Sequence, residues 1–239
     1  MKFARISDID PGSPETWRGK VFLSFDIDWA EDFVLLDTLE LIERAGVPAT
    51  WFATHQTALL ERIERHPGFE LGIHPNFNNL LSAGSAQSAE QVLDAALALA
   101  PGCRFVRSHS LTQSTRLLAL FADRGLGHEC NTLIPWDAGI PLRPWRHWDG
   151  TTVRVPHCWE DDIACLAGWP LEGDAFYWYD PDGLNVLDFH PIHVYLNTET
   201  LERYEASRPV HRDSAALPAM RHGGQGVRTF LEKILVGAR

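Results

Sequence analysis

Short apolar runs alternate with helix-patterned stretches along most of this chain, and several runs end on a residue suited to chemistry. Residues 21–25 lead into Asp26 and Asp28, and residues 69–73 lead into His74. Residues 104–106 lead into Arg107 and His109, and residues 185–189 into His190. Strands are also read at 47–53, ending near His55, at 127–130 and at 152–156. Apolar runs of this length, bounded by turn residues, fit buried strands. Helices are read at 33–45, 56–65, 88–100, 114–123, 198–206 and 226–236. The first of these carries Leu35, Leu36, Leu39 and Ile42 and stops at Gly46, a helix-ending residue. Strand–helix alternation implies a parallel sheet with helices outside. In a closed barrel the carboxyl ends of the strands meet on one face, so the four chemical tips would share a mouth.

Length and composition narrow the class. The chain has 239 residues, close to one (β/α) barrel, and is expected to be a single domain over 1–239. Residues 1–19, 131–150 and 207–225 read as loops; the middle one is rich in Pro, Trp and Arg and is a lid or subunit-contact candidate. Net charge is −11, which disfavours nucleic acid and anionic membrane surfaces as partners. Cys103, Cys130, Cys158 and Cys165 form no C-x-x-C pair, so neither a cysteine zinc site nor a disulfide framework is expected. The first residues lack a signal core, and no apolar run is long enough to span a bilayer. The expected setting is the reduced cytoplasm. Of the nine tryptophans, Trp29, Trp136, Trp145 and Trp148 fall on predicted loops and are sugar-platform candidates; the rest read as core.

Two acids at a buried strand tip are costly unless a metal or a proton-transfer role uses them, or unless they form a solvated turn or helix cap. Amide hydrolysis needs a water made nucleophilic, a polarised carbonyl and a proton for the leaving nitrogen. Asp26 and Asp28, with His74, Arg107 and His190 at neighbouring tips, supply groups of those kinds.

Taken in order, these motifs resemble the polysaccharide deacetylases of the NodB-homology type (carbohydrate esterase family four). The matching stretches are Ser24-Phe-Asp26-Ile-Asp28, His74-Pro-Asn-Phe-Asn78, Arg107-Ser-His-Ser110, Trp159-Glu-Asp-Asp162 and Val186-Leu-Asp-Phe-His190. Within the family the chain looks most like the WbmS-like branch associated with bacterial O-antigen clusters. The resemblance implies an α/β fold, a distorted (β/α) barrel of about seven strands. It implies Asp26 as base, Arg107 as its holder, His190 as acid, and Asp28, His74 and Asn78 as ligands of a divalent ion. Zinc is the first expectation, with cobalt or nickel as alternatives. His55, His109, Trp29 and His193 are placed as supporting or substrate-binding groups, and Asp161-Asp162 as a turn or helix cap with a lesser claim on function. Two departures stand out: Asn78 replaces the second metal-binding His, and His109-Ser110 stands where Pro-Tyr usually follows the arginine. The implied activity is removal of an acyl group from an amide nitrogen of a sugar, on a small or oligosaccharide substrate of O-antigen or lipopolysaccharide biosynthesis. A non-catalytic sugar-binding member, and an allantoinase-like hydrolase of a cyclic amide, are the alternative readings.

Overall fold

The structure is a computed structural model and describes residues 1–81 and 87–237. Its strands are β1 (Lys2–Phe3), β2 (Lys20–Asp26), β3 (Ala49–Ala53), β4 (Phe69–Ile73) and β5 (Phe105–Val106). They continue as β6 (His128–Glu129), β7 (Trp145–Arg146), β8 (Val153–Arg154), β9 (Trp159–Glu160) and β10 (Asn185–Phe189). The helices are α1 (Asp32–Ala45), α2 (Leu59–Arg65), α3 (Ala89–Leu97), α4 (Thr115–Asp123), α5 (Asp161–Ala167), α6 (Pro191–Leu196), α7 (Leu201–Ser207) and α8 (Val227–Val236).

The strands form one sheet in the order β7-β8-β6-β5-β4-β3-β2-β10-β9, with β1 beside β2. Among the described residues every strand pairing is parallel except β7 with β8. A parallel bridge between Leu133 and His157 ties the segment after β6 to the residues ahead of β9. The sheet therefore curls round on itself as a distorted (β/α) barrel. It holds ten strands among the described residues, against the seven or so expected. The extra pieces β1, β7 and β9 are two residues each, too short to show a periodicity.

The strand register sorts side chains between two faces. Phe25 pairs with Trp51 and with Phe189, and Leu187 with Trp159. These residues point outward under the helices: Phe25 stacks on Trp51 at 4.3 Å, and Trp159 stacks on Phe230 of α8 at 4.8 Å. Each such fully buried ring contributes about 2–3 kcal/mol. The alternate residues point into the barrel, where Glu160 pairs with Asp188, Asp188 with Ser24, Ser24 with Thr50, and Thr50 with Glu70. The interior is thus a polar row beneath the mouth. Gly72 of β4 faces it too: a Cβ there would come within 2.8 Å of the Phe52 ring, which must fit between the strands.

Several elements differ from expectation. Residues 1–19 include β1, held to β2, rather than loop alone. Helices α5 and α6 are not among the expected helices, since seven and six residues are too few for a clear helical period. Pro191 opens α6 at a position where its fixed φ suits a helix start. Helix α1 ends as expected at Gly46, whose φ of 67° is left-handed. No described helix is long and apolar enough to cross a membrane.

Candidate active site

Beyond Asp26 the chain turns sharply, and both Asp28 and Trp29 take left-handed backbone, with φ of 45° and 54°. That conformation is uphill for residues with a Cβ and is tolerated where surrounding contacts fix it. It swings the Asp28 carboxylate over the mouth. His74 follows β4, its N–H donating to the Ala53 carbonyl at 2.8 Å, and His109 follows β5, its N–H donating to the Pro75 carbonyl at 3.0 Å. Asp28 Oδ1 lies 3.2 Å from His74 Nε2 and 3.3 Å from His109 Nδ1, and the two ring nitrogens are 3.3 Å apart.

Hydrogen bonding cannot satisfy this triangle. If both nitrogens donate to Asp28, they face each other as donors; if one accepts, its bond to the carboxylate is lost. A cation bound by one lone pair from each atom resolves the conflict. The outer nitrogen agrees: His74 Nδ1, buried and without a hydrogen bond among the described residues, faces Asp26 Oδ2 at 3.4 Å. A histidine with its outer N–H toward a carboxylate and its inner lone pair toward an ion is the usual arrangement of a metal site. The residues present therefore fit a divalent metal. Burial works against charge on Asp28, but His109 and His74 outweigh it and hold its carboxyl well below the usual range. For His74 burial again opposes the charge, and Asp26 and Asp28 raise its pKa overall.

Beneath the trio lies Arg107, fully buried. Its Nη1 donates to Asp26 Oδ1 at 3.0 Å and also to Asp188 Oδ1; its Nη2 donates to Ser24 Oγ at 3.0 Å and its Nε to the Cys130 carbonyl at 3.2 Å. The guanidinium lies 4.7 Å from the Phe52 ring centre. Burial disfavours its charge, but Asp188 and Asp26 more than compensate, so it stays protonated. Asp188 is pushed up to about 6, by burial first, with Arg107 opposing. Glu160, next to Asp188 across the sheet, is also raised, by burial and then by Asp162 and Asp188; its Oε2 meets the buried His157 Nε2 at 3.1 Å.

Beside Asp28 stands His190, its Nε2 3.7 Å from Asp28 Oδ2. Asp161, the first residue of α5, accepts both the His190 backbone N–H and its Nδ1–H, each at 2.7 Å. Burial opposes the imidazolium, but Asp161 outweighs it and lifts the His190 pKa well above its ordinary value.

The structure brings together Asp26, Asp28, His74, Arg107 and His190, all expected at the mouth. It does not bring Asn78 into the donor triangle. Asn78 Oδ1 accepts from Thr112 Oγ1 at 3.0 Å and its Nδ2 donates to Ser110 Oγ at 3.1 Å, so the amide is occupied by the neighbouring turn. His109, expected as support, completes the triangle in its place. His55 bonds Thr54 Oγ1 through Nδ1 at 2.9 Å and stands outside the converging groups. His193 lies one helical turn past His190, because 191–196 is helix and not an extension of the strand. Its Nδ1 meets Thr198 Oγ1 at 3.1 Å, and its ring packs 4.8 Å from Tyr204. Trp29 is 46% exposed and touches the His109 ring edge-on at 5.1 Å.

Sequence reasoning underweighted Asp161 and missed Asp188. Both carried a signal. Asp188 is two residues before His190, so on a strand it shares that face. Asp161 and Asp162 were indistinguishable until α5 placed the first inward and let the second bond its own helix at the Ile163 N–H, 2.6 Å away.

The sequence profile of the WbmS-like polysaccharide deacetylases matches residues 23–208. The chain belongs to that family. The WbmS-like family is one of hydrolases of non-peptide carbon–nitrogen bonds. The crystal structure of WbmS from Bordetella bronchiseptica, assigned as a polysaccharide deacetylase involved in O-antigen biosynthesis, is similar at 61% identity and a TM-score of 0.98. The match covers 100% of this chain and 98% of that one. A protein from Mycobacterium smegmatis, also assigned as a polysaccharide deacetylase, shares the fold at 17% identity and a TM-score of 0.50, over 90% of this chain and 83% of that one. No curated protein matches the sequence.

Proposed function

We propose that this WbmS-like protein is a metal-dependent deacylase of an acylamino sugar in O-antigen or lipopolysaccharide biosynthesis, acting in the cytoplasm. The observation that carries the reading is the convergence of Asp28 Oδ1, His74 Nε2 and His109 Nδ1 within 3.3 Å of one another, beside a carboxylate held by Arg107 and an imidazole held by Asp161. Asp28, His74 and His109 would hold the ion, with zinc the first candidate because two of the three donors are imidazoles. When bound, a divalent ion there supplies Lewis-acid polarisation of the acyl carbonyl and acidifies the attacking water.

The remaining work falls to the chain's own side chains. Asp26 takes the proton of the attacking water through its carboxylate. Arg107 donates to Asp26 Oδ1 and fixes the carboxylate's orientation. His190 gives its Nε2 proton to the departing nitrogen, and Asp161 keeps the ring turned and charged from Nδ1. Base and acid are separate groups with separate holders, Arg107 on Asp26 and Asp161 on His190, so one can serve the water and the other the leaving amine.

The test is acetate release from a panel of N-acetylated sugars and nucleotide-linked sugars by protein loaded with Zn²⁺. Wild type should turn over at least one of them, and Asp26→Asn should lose about 10²-fold or more in kcat. Equal rates for wild type and Asp26→Asn across the panel would remove the catalytic assignment.

A further inference from the structure

Asn78 holds the position where the family pattern places a metal ligand, yet both ends of its amide are engaged with the turn after β5. That turn contains two consecutive left-handed residues, Ser110 and Leu111, with φ of 54° and 52°. Neither is glycine, so the turn persists only because contacts fix it. Asn78 brackets it: Nδ2 donates to Ser110 Oγ at 3.1 Å, and Oδ1 accepts from Thr112 Oγ1 at 3.0 Å. The residue just before the left-handed pair is His109. Its backbone N–H is already tied to Pro75, and its side chain keeps 26% exposure, so packing alone does not set the ring's direction. The short segment after β4 therefore supplies His74 to the triangle, the Pro75 carbonyl to the backbone of His109, and the Asn78 amide to the turn that follows. Asn78 is itself steadied, its N–H donating to Asn76 Oδ1 at 3.0 Å.

We infer that Asn78 is a positioning residue: its amide clips the Ser110–Thr112 turn and so aims His109 at Asp28 and His74, an inference that rests on reading those three residues as a divalent-cation site. The two histidines are then set by one length of chain, and the geometry of the pair survives the lack of a histidine at 78. Residues that orient metal ligands without touching the ion commonly change affinity by about 10- to 100-fold when removed.

The test is titration of Zn²⁺ and Co²⁺ into chelator-stripped full-length protein, followed by calorimetry and by the visible absorption of bound Co²⁺. The variants are Asn78→Ala, Ser110→Ala, Thr112→Val and the double variant Asn78→Ala with Thr112→Val, each checked for folding by circular dichroism. Asn78→Ala is expected to weaken binding about 10- to 100-fold, with the Co²⁺ spectrum keeping its band positions because the ligands are unchanged. Ser110→Ala and Thr112→Val should each weaken binding too, and the double variant should bind no worse than Asn78→Ala alone, since all act through one clip. Wild-type affinity in Asn78→Ala overturns the inference. So does loss confined to Asn78→Ala with shifted Co²⁺ bands, which would make Asn78 a ligand. If wild type takes up no ion, or if His74→Ala titrated beside it binds as tightly as wild type, the metal reading itself fails and the clip's role falls with it.

Discussion

Asp161→Asn isolates the group that holds the proposed acid. The carboxylate is fully buried and accepts two N–H bonds from His190, one from the backbone and one from Nδ1, both at 2.7 Å. An amide is isosteric, but one of its ends is a donor, so one of the two bonds becomes a donor–donor contact. If the amide oxygen stays on the backbone N–H, the imidazolium loses a charge-assisted bond of about 1.5–3 kcal/mol. At about 1.4 kcal/mol per decade, kcat should fall by about 10- to 150-fold. KM should stay within about threefold, because Asp161 has no surface for substrate to touch. The buried mismatch should cost about 1–3 kcal/mol of stability, a fall in Tm of about 3–10 °C for a chain of this length. The assay is steady-state acetate release beside a thermal melt. An unchanged kcat, or a raised KM with kcat intact, would refute the role, the latter by showing that Asp161 contacts substrate and not only His190.

Three further outcomes follow from particular contacts. Arg107→Met should cost about 3–5 kcal/mol by leaving Asp26 and Asp188 buried without a cation, and adding Asp188→Asn should recover part of it; chemical denaturation reads both, and a midpoint equal to wild type would count against the network. Burial holds His193 down to about 4, so between the ordinary value of about 6.5 and that pKa the unfolded chain binds a proton that the native state refuses. Its contribution is therefore full above about pH 6.5 and lost as pH falls: the stability difference between wild type and His193→Gln should move against wild type by about 1 kcal/mol per pH unit from 6 to 5, and a constant difference would contradict it. Trp29→Ala, which removes a half-exposed ring beside His109, should raise KM for a sugar substrate about 3- to 10-fold with the melt unchanged, as loss of about 1 kcal/mol of stacking requires; an unchanged KM would take Trp29 out of substrate binding.

What the sequence determined by itself is the set of strand tips and the parity of residues along each strand. Apolar runs bounded by turns mark β2, β4 and β10, and a period of two places Asp26 with Ser24, and His190 with Asp188, on the same face. The parallel sheet, the stop of α1 at Gly46 and the gathering of Asp26, Asp28, His74, Arg107 and His190 at one mouth were therefore legible. The tertiary structure decided matters that hang on turns and long-range register. Whether Asn78 or His109 reaches the triangle depends on left-handed backbone at Ser110 and Leu111, which no local propensity favours and which contacts from another segment impose. Which of Asp161 and Asp162 faces His190 depends on where α5 begins, a one-residue choice that helix periodicity does not fix over seven residues. That Arg107 serves Asp188 as well as Asp26 depends on β2 lying beside β10, a pairing between strands more than 160 residues apart. Periodicity reports which side of an element a residue occupies; only the packed chain reports what waits there.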